Sequence, residues 1–175
     1  MAKKLDTHYA FIDGQNFNLA IRGLGWKLDY GRFRIYLQDK YQVTKAHYFV
    51  GFIKENQHLY DYLTQCGYGM IFKPILEYKK GGKTVVKGNV DAELVLHAMI
   101  EYNNYTQAVI VSGDGDFHCL IEYLKQQGKL KRLIVPNFNK FSAVLRKFMP
   151  DMTFLNKNRN KLDYQKRGIN LRTKP

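Results

Sequence analysis

The chain has 175 residues, 45% of them apolar, and a formal charge of +13. This length fits one domain, and the apolar fraction is sufficient for a buried core, which excludes a wholly disordered chain. The sequence has no run of about 18 uncharged apolar residues, so we expect no membrane-spanning helix. Two cysteines are too few for a disulfide framework. The small number of cysteines and an N-terminus without the apolar region of a signal peptide together predict a cytoplasmic protein.

The positive charge is concentrated towards one end of the chain. Residues 1–124 hold 14 basic and 13 acidic residues, whereas residues 125–175 hold 14 basic and 2 acidic ones. A basic region joined to a nearly neutral body is typical of proteins that bind polyanions, and nucleic acid is the simplest such partner. From charge alone, a solubilising surface and an anionic membrane surface remain alternatives.

Apolar runs and helical patterns alternate along the first part of the chain. The run at 9–12 ends at Asp13-Gly14 and is typical of a buried strand. Glycines at 23 and 25 would end the helix that precedes them. The elements predicted in this part are a strand at 9–12, a helix at 16–22, a helix at 30–40, a strand at 45–53 and a helix at 56–66.

The second part of the chain continues the alternation. A Gly-Gly pair at 81–82 predicts a hairpin turn. The further elements predicted are a strand at 70–78, its returning partner at 84–87, a helix at 91–102, a strand at 108–111, a helix at 116–127, a strand at 133–135, a short basic helix at 139–148 and a last strand at 152–155. Alternating strands and helices indicate an α/β domain with a mostly parallel central sheet, over residues 1–156. Residues 157–175 have few apolar positions and are expected to form a flexible basic tail.

Aspartates follow two of the predicted strands. Asp13 ends the first strand, Asp114 and Asp116 come just after the strand at 108–111, and Asp91 begins a helix. Ligands of open α/β sheets bind outside the carboxyl ends of the strands, so these acids would meet if the two strands are neighbours. Converging carboxylates repel each other and need a cation, for which Mg²⁺ is the natural choice. Each aspartate could instead merely cap a helix or form a turn.

Four segments together resemble one known family. They are FIDGQNF at 11–17, KGNVDAELVLHAM at 87–99, VSGDGDF at 111–117 and the Ser-x-x-Leu-Arg stretch at 142–148. The chain resembles the NYN domain in its LabA-like branch, within the PIN-like nuclease superfamily. The resemblance implies a Rossmann-like three-layer α/β/α fold and a metal-dependent endoribonuclease. Such an enzyme would cleave RNA phosphodiester bonds with a metal-activated water held by clustered aspartates.

The same resemblance implies the residues of the site. Matched by motif, the catalytic residues are Asp13, Asn16, Asp91, Asp114 and Asp116. The four aspartates among them would hold Mg²⁺ or Mn²⁺, with Asn16 as a companion polar residue of Asp13. Residues expected to contact the nucleic acid are Ser112, Lys87, Arg146 and Lys147. The partner would be RNA, single-stranded or structured, and the tyrosine-rich edges are compatible with a homodimer.

One position departs from the family pattern. His97 stands where many relatives carry a further aspartate. It is interpreted as a core histidine or as a contact to a phosphate or a water. If the missing acid is a metal ligand in active relatives, the alternative function is a non-catalytic nucleic-acid-binding or adaptor protein on the same fold. A phosphatase is a further alternative, although Asp13-Gly14-Gln15 lacks the second aspartate that such enzymes need.

Overall fold

A six-stranded parallel sheet lies at the centre of the fold. The computed structural model describes residues 6–74, 76–80, 83–87 and 90–164, and for residues 76–80 and 83–87 it describes the backbone alone. The strands of the sheet are β1 (His8–Asp13), β2 (Val43–Gly51), β3 (Tyr68–Lys73), β6 (Gln107–Val111), β7 (Leu130–Val135) and β8 (Met152–Phe154). Their order is β3-β2-β1-β6-β7-β8, and every neighbouring pair is parallel. A separate antiparallel pair is formed by β4 (Leu76–Lys80) and β5 (Lys83–Lys87).

Helices cover both faces of the sheet. They are α1 (Gly14–Arg22), α2 (Tyr30–Tyr41), α3 (Gln57–Gln65), α4 (Asp91–Ile100), α5 (His118–Gln126) and α6 (Arg159–Leu162). Short 3₁₀ helices occupy Lys54–Asn56, Gly115–Phe117, Ala143–Asp151 and Leu155–Asn158. None of the helices in the described part of the chain combines the length and the apolar character needed to span a bilayer.

Two hydrophobic cores lie on opposite faces of the sheet. The strand β1 supplies both, because successive side chains of a strand point to opposite faces. Ala10 and Ile12 pack with residues of α1, α2, α3 and α6, whereas Tyr9 and Phe11 pack with residues of α4 and α5. Each of these β1 residues is buried, as expected for a strand in the middle of a parallel sheet. The predicted three-layer α/β/α architecture is therefore confirmed.

The predicted strand at 70–78 is wrong in its extent. The chain leaves the main sheet at Lys73, the last residue of β3, and Leu76 begins the first strand of the separate hairpin. Pro74 lies between them, and proline has no backbone N–H to continue a ladder of hydrogen bonds. The apolar pattern therefore runs through two strands that belong to different sheets. The predicted turn at 81–82 lies outside the described residues.

The predicted basic helix at 139–148 is also displaced. The segment begins as a loop, because the backbone N–H of Ser142 donates to the carbonyl of Gly113 (2.9 Å) and holds the chain extended there. A 3₁₀ helix follows at Ala143–Asp151.

The described residues of the predicted tail pack against the domain. Leu162 is buried, and its carbonyl accepts a hydrogen bond from the N–H of Asp29 (2.8 Å). The N–H of Tyr164 donates to the carbonyl of Lys27 (2.7 Å). The prediction that a flexible tail starts at residue 157 is therefore wrong for residues 157–164. Residues 165–175 lie outside the described part, where a tail stays a prediction.

The strand order creates a crevice between β1 and β6. From β1 the chain builds outwards through β2 and β3, and it then crosses to β6 on the other side of β1. The connections leave β1 and β6 in opposite directions, which opens a gap beyond their carboxyl ends. The last residue of β1 is Asp13, and Ser112 follows the end of β6. The fold thus places the predicted acids at its natural ligand site.

Gly14 permits a close approach that a side chain would block. A Cβ atom at this position would collide with the Tyr48 ring and would lie 2.7 Å from the carbonyl oxygen of Phe49. We expect Gly14→Ala to lower the free energy of unfolding by about 1–3 kcal/mol, the usual cost of overpacking. Urea denaturation followed by circular dichroism measures this change.

Gly31→Ala is the matched control, because Gly31 also lies in the first turn of a helix. Its nearest neighbour would be Asp29 Oδ1 at 3.3 Å, the oxygen that caps the helix by accepting from the N–H of Arg32, and this contact is much milder than the collisions at Gly14. We expect the stability of this variant to lie within about 1 kcal/mol of the wild type, because the gain in helix propensity offsets the mild contact with Asp29. Equal stability of Gly14→Ala and the wild type would contradict the packing argument.

Candidate metal centre

Asp13 lies at the junction between the central strand and the first helix. It is the last residue of β1 and caps α1, because its Oδ1 accepts a hydrogen bond from the N–H of Asn16 (3.1 Å). Its other oxygen, Oδ2, accepts from the hydroxyl of Ser112 (3.1 Å). The residue is only 4% exposed. Asp13 therefore both caps a helix and contacts the end of β6, and the capping interpretation does not exclude a place in the site.

Neutral polar side chains hold the loop that follows β6. The hydroxyl of Ser112, besides donating to Asp13, accepts from the N–H of Asp114 (3.1 Å). Asn16 Oδ1 accepts from the N–H of Gly113 (3.0 Å). Within the loop, Asp114 Oδ1 accepts from the N–H of Asp116 (3.0 Å). Asn16, predicted to be a companion of Asp13, and Ser112, predicted to contact the nucleic acid, thus make hydrogen bonds that fix the positions of the acids.

Three carboxylates converge at this loop, two from the loop itself and one from the start of α4. Asp91, Asp114 and Asp116 each offer one oxygen atom, and these three oxygens lie within 4.8 Å of one another. Asp91 is the first residue of α4, whose capping position is Val90, so Asp91 is not the capping residue of its own helix. Its charge nevertheless lies in the first turn, where the helix dipole favours an anion.

The donor set suits a hard divalent cation. Carboxylate oxygens are the ligands that Mg²⁺ prefers, and two ligands at about 2.1 Å from one ion lie about 3–4 Å apart. Three acids whose oxygens lie within 4.8 Å of one another repel each other, and a cation would remove the repulsion. The residues present therefore fit a hard divalent cation.

Asp13 lies behind these three acids. It does not belong to the group of oxygens within 4.8 Å, but it interacts electrostatically with Asp91 and Asp114. The pKa of Asp13 is raised to about 6, chiefly by burial; the hydrogen bonds from Asn16 and Ser112 act to lower this pKa, and the negative charges of Asp91 and Asp114 act to raise it. A cation in the site would favour the ionised carboxylate, so metal binding and proton release at Asp13 are linked.

The loop that follows β7, the strand next to β6, packs on the acidic loop. A Cβ atom at Gly115 would collide with the hydroxyl of Ser142 and lie 2.9 Å from its Cβ, and one at Gly113 would lie 3.3 Å from the Cβ of Phe141. Sequence reasoning gave Ser142 no role in the site, although it begins the Ser-x-x-Leu-Arg stretch. Tyr48 was also missed: its hydroxyl donates to the carbonyl of Gly14 (3.3 Å), beneath Asp13. No sequence pattern marked Tyr48.

His97 is not part of the acidic group. It is half-buried, and its ring packs edge-on against Phe49 with 5.6 Å between the ring centroids. It lies six residues after Asp91 on α4, which is about 9 Å along the helix axis. The core interpretation of His97 fits this placement.

The predicted contacts to nucleic acid differ in their surroundings. Arg146 and Lys147 are exposed on the 3₁₀ helix after Ser142, and Lys147 forms an ion pair with Glu122. The side chain of Lys87 lies outside the described part of the chain. Among the described side chains predicted to contact nucleic acid, Arg146 is therefore an exposed cation for which no ion pair is described.

Comparisons with known proteins identify relatives of the chain. The NYN domain family matches residues 9–156. The low amplitude and bright protein LabA of Synechococcus elongatus is 30% identical over 123 residues, which cover 66% of each protein, so the chain spans just under two thirds of that relative. A crystal structure of a Vibrio parahaemolyticus protein of unknown function superposes with a TM-score of 0.72 at 20% identity, covering 90% of this chain and 96% of that one. At this identity the likeness shows the fold alone.

The raised pKa of Asp13 predicts how stability depends on pH. The unfolded carboxyl loses its proton at a lower pH than the folded one, so the wild type loses stability as the pH rises from about 4 to about 6. Asp13→Asn avoids this loss. Without divalent cations, we expect the variant to be more stable than the wild type by about 2 kcal/mol at pH 7.5 and nearly equal to it at pH 4.

Urea denaturation in EDTA at the two pH values measures this difference. The control is Asp39→Asn, which removes a carboxylate from the exposed side of α2 and should give the same small change at both pH values. An Asp13→Asn protein that is less stable than the wild type at pH 7.5 would show that the folded protein stabilises the ionised carboxylate, contrary to the burial argument.

Proposed function

Because the chain belongs to the NYN domain family, we propose that it is a metal-dependent endoribonuclease that cleaves RNA phosphodiester bonds. The observation that carries this proposal is the convergence of Asp91, Asp114 and Asp116 in front of the buried Asp13. This arrangement lies beyond the carboxyl ends of β1 and β6, where open α/β sheets bind their ligands.

The four acids have two different roles in this proposal. Asp91, Asp114 and Asp116 would hold Mg²⁺ or Mn²⁺ through one oxygen each. Asp13 positions the loop through Ser112 and would add a negative charge that acts on the same site as Asp91 and Asp114. When bound, the ion supplies a Lewis acid that polarises a phosphoryl oxygen and lowers the pKa of water. Asn16 keeps Gly113 in place, so the loop meets the substrate in one fixed conformation.

Exposed cations beside the acidic loop support RNA as the substrate. Lys140 and Arg146 flank Ser142, whose backbone is bonded to Gly113 in the acidic loop. The chain as a whole carries a formal charge of +13. A phosphate backbone laid across this surface would be attracted by these cations while one phosphodiester group approaches the acidic site. The cations also offset the repulsion between the acidic site and the polyanion.

The catalytic proposal predicts the effect of removing one metal ligand. Asp114→Asn leaves the side-chain oxygen that accepts from the N–H of Asp116 but removes the negative charge from the site. Replacing even a residue that only orients a metal ligand costs about 10–100-fold. We therefore expect Asp114→Asn to lower the rate of cleavage of a labelled single-stranded RNA at least 100-fold, with wild-type activity abolished by EDTA.

Cleavage is measured with purified proteins in Mg²⁺, in Mn²⁺ and in EDTA. Asp39→Asn again provides the control and should cleave like the wild type. Equal cleavage by Asp114→Asn and the wild type would place the activity elsewhere or in a contaminating nuclease. RNA binding by the wild type without cleavage in either metal would favour a non-catalytic nucleic-acid-binding protein on the same fold.

A further inference from the structure

Three phenylalanine rings form an aromatic platform at the carboxyl ends of β7 and β8. The platform consists of Phe138, Phe141 and Phe154. The ring of Phe138 packs edge-on against Phe154, with 4.9 Å between centroids, and Phe141 lies 5.7 Å from Phe154 and 6.4 Å from Phe138. Phe138 is 51% exposed in spite of these contacts. A large aromatic ring is thus presented to solvent on a supporting pair of rings.

The platform adjoins the acidic loop. Phe141 contacts Gly113, since a Cβ atom there would lie 3.3 Å from the Phe141 Cβ. The next residue, Ser142, donates its backbone N–H to the carbonyl of Gly113 (2.9 Å). Gly113 directly precedes Asp114, one of the three converging acids. A ligand that lies on the platform is therefore a neighbour of the proposed metal centre.

Hydrogen bonds fix the backbone that carries Phe138. Its own N–H donates to Asn156 Oδ1 (2.9 Å). The buried Asn137 donates from Nδ2 to the carbonyl of Ala20 (3.3 Å) and accepts from the N–H of Asn139 through Oδ1 (2.9 Å). The exposed ring is thus attached to a firmly held segment, and a ligand would not have to order the loop in order to bind.

The charge around the platform favours an anionic ligand. The segment 136–150 contains Lys140, Arg146 and Lys147 and no acidic residue. Lys147 is paired with Glu122, whereas Lys140 and Arg146 are exposed. An aromatic ring for a base and cations for its phosphates are the combination that single-stranded nucleic acids require. A protein partner would need an apolar or acidic surface and would gain nothing from the neighbouring acidic site.

We propose that the aromatic platform binds an unpaired nucleobase of the RNA beside the phosphodiester group to be cleaved. This inference rests on the proposed nuclease function for its substrate. Bases in a duplex are stacked on their neighbours and present no free face to Phe138, so a duplex would gain only the backbone contacts of Lys140 and Arg146.

The test measures RNA binding in EDTA, so that it does not depend on cleavage. The probes are a fluorescein-labelled 12-nucleotide oligoadenylate and a blunt RNA duplex of the same length, followed by anisotropy. Stacking of one base on an aromatic side chain supports a loss of about 5–10-fold in affinity for the oligoadenylate in Phe138→Ala, with the affinity for the duplex unchanged. Equal losses for both probes, or no loss, would overturn the proposal.

Phe72→Ala is the matched control. Phe72 is 41% exposed and is also in edge contact with two aromatic rings, those of Tyr60 and Phe52. It lies on β3, at the opposite edge of the sheet from β8. This variant should bind both probes like the wild type. An equal loss of affinity in Phe72→Ala would overturn the assignment to Phe138.

Phe138→Trp provides a second readout that does not require truncation of the side chain. The native chain has one tryptophan, Trp26, which is 7% exposed. We expect oligoadenylate to quench the added fluorescence of Phe138→Trp and to leave the wild-type fluorescence nearly unchanged. A folded Phe138→Trp protein that binds the oligoadenylate without quenching would overturn the proposal. A Phe138→Ala protein whose oligomeric state changes while its RNA binding does not would also overturn it.

Failure of this inference is distinguishable from failure of the nuclease proposal. Cleavage by the wild type together with unchanged binding by Phe138→Ala would reject the platform and retain the nuclease. Selective loss of oligoadenylate binding in Phe138→Ala, without any cleavage by the wild type, would retain the platform on a binding protein.

Discussion

Repulsion between carboxylates at one end of the sheet is the constraint on which the site depends. Asp91, Asp114 and Asp116 bring oxygens within 4.8 Å of one another, and Asp13 lies behind them with its pKa raised to about 6. A folded chain keeps such an arrangement only if the surrounding structure holds each acid firmly. It does so here with helix starts, a tight glycine loop and neutral hydrogen-bonding side chains, and a bound cation would relieve the remaining repulsion.

The parts that hold the acids come from distant segments of the chain. Asn16 follows β1, Ser112 follows β6, and Ser142 arrives from the loop after β7. Asn16 and Ser142 bind the acidic loop, and Ser112 at its start ties it to Asp13, all through neutral groups, so the loop is fixed without adding charge to it. A change at any of these three positions is therefore expected to act on the proposed metal centre through the position of the loop. The same loop joins the proposed metal centre to the aromatic platform.

The sequence predicted the central features of the fold, and that aspartates come together at one end of the sheet, for clear physical reasons. A short apolar run that ends in Asp13-Gly14, and another that ends before Asp114, are typical of buried parallel strands whose carboxyl ends meet at one edge. The prediction that Asp91 converges with Asp114 depended on the family resemblance, because the start of a helix can face several directions. That Asp13 lies behind the three converging acids could not be predicted, since it depends on side-chain burial.

Contacts between distant loops also lay beyond the sequence. The packing of Ser142 and Phe141 on the glycine loop has no local signal, and it displaced the predicted helix at 139–148. The packed segment at 157–164 was predicted to be a tail because it has few apolar residues, yet one of them, Leu162, is buried against the domain. Composition averages over a segment and therefore misses a single anchoring side chain.

The most direct test of the account is the binding of Mn²⁺ to the purified protein, measured by the electron paramagnetic resonance signal of the free ion. The account predicts saturable binding by the wild type that Asp91→Asn removes and Asp39→Asn leaves unchanged. Mg²⁺ should compete for the same site, because both ions take oxygen ligands. Absence of saturable Mn²⁺ binding by the wild type, or equal binding by Asp91→Asn, would contradict the claim that these aspartates form one cation site.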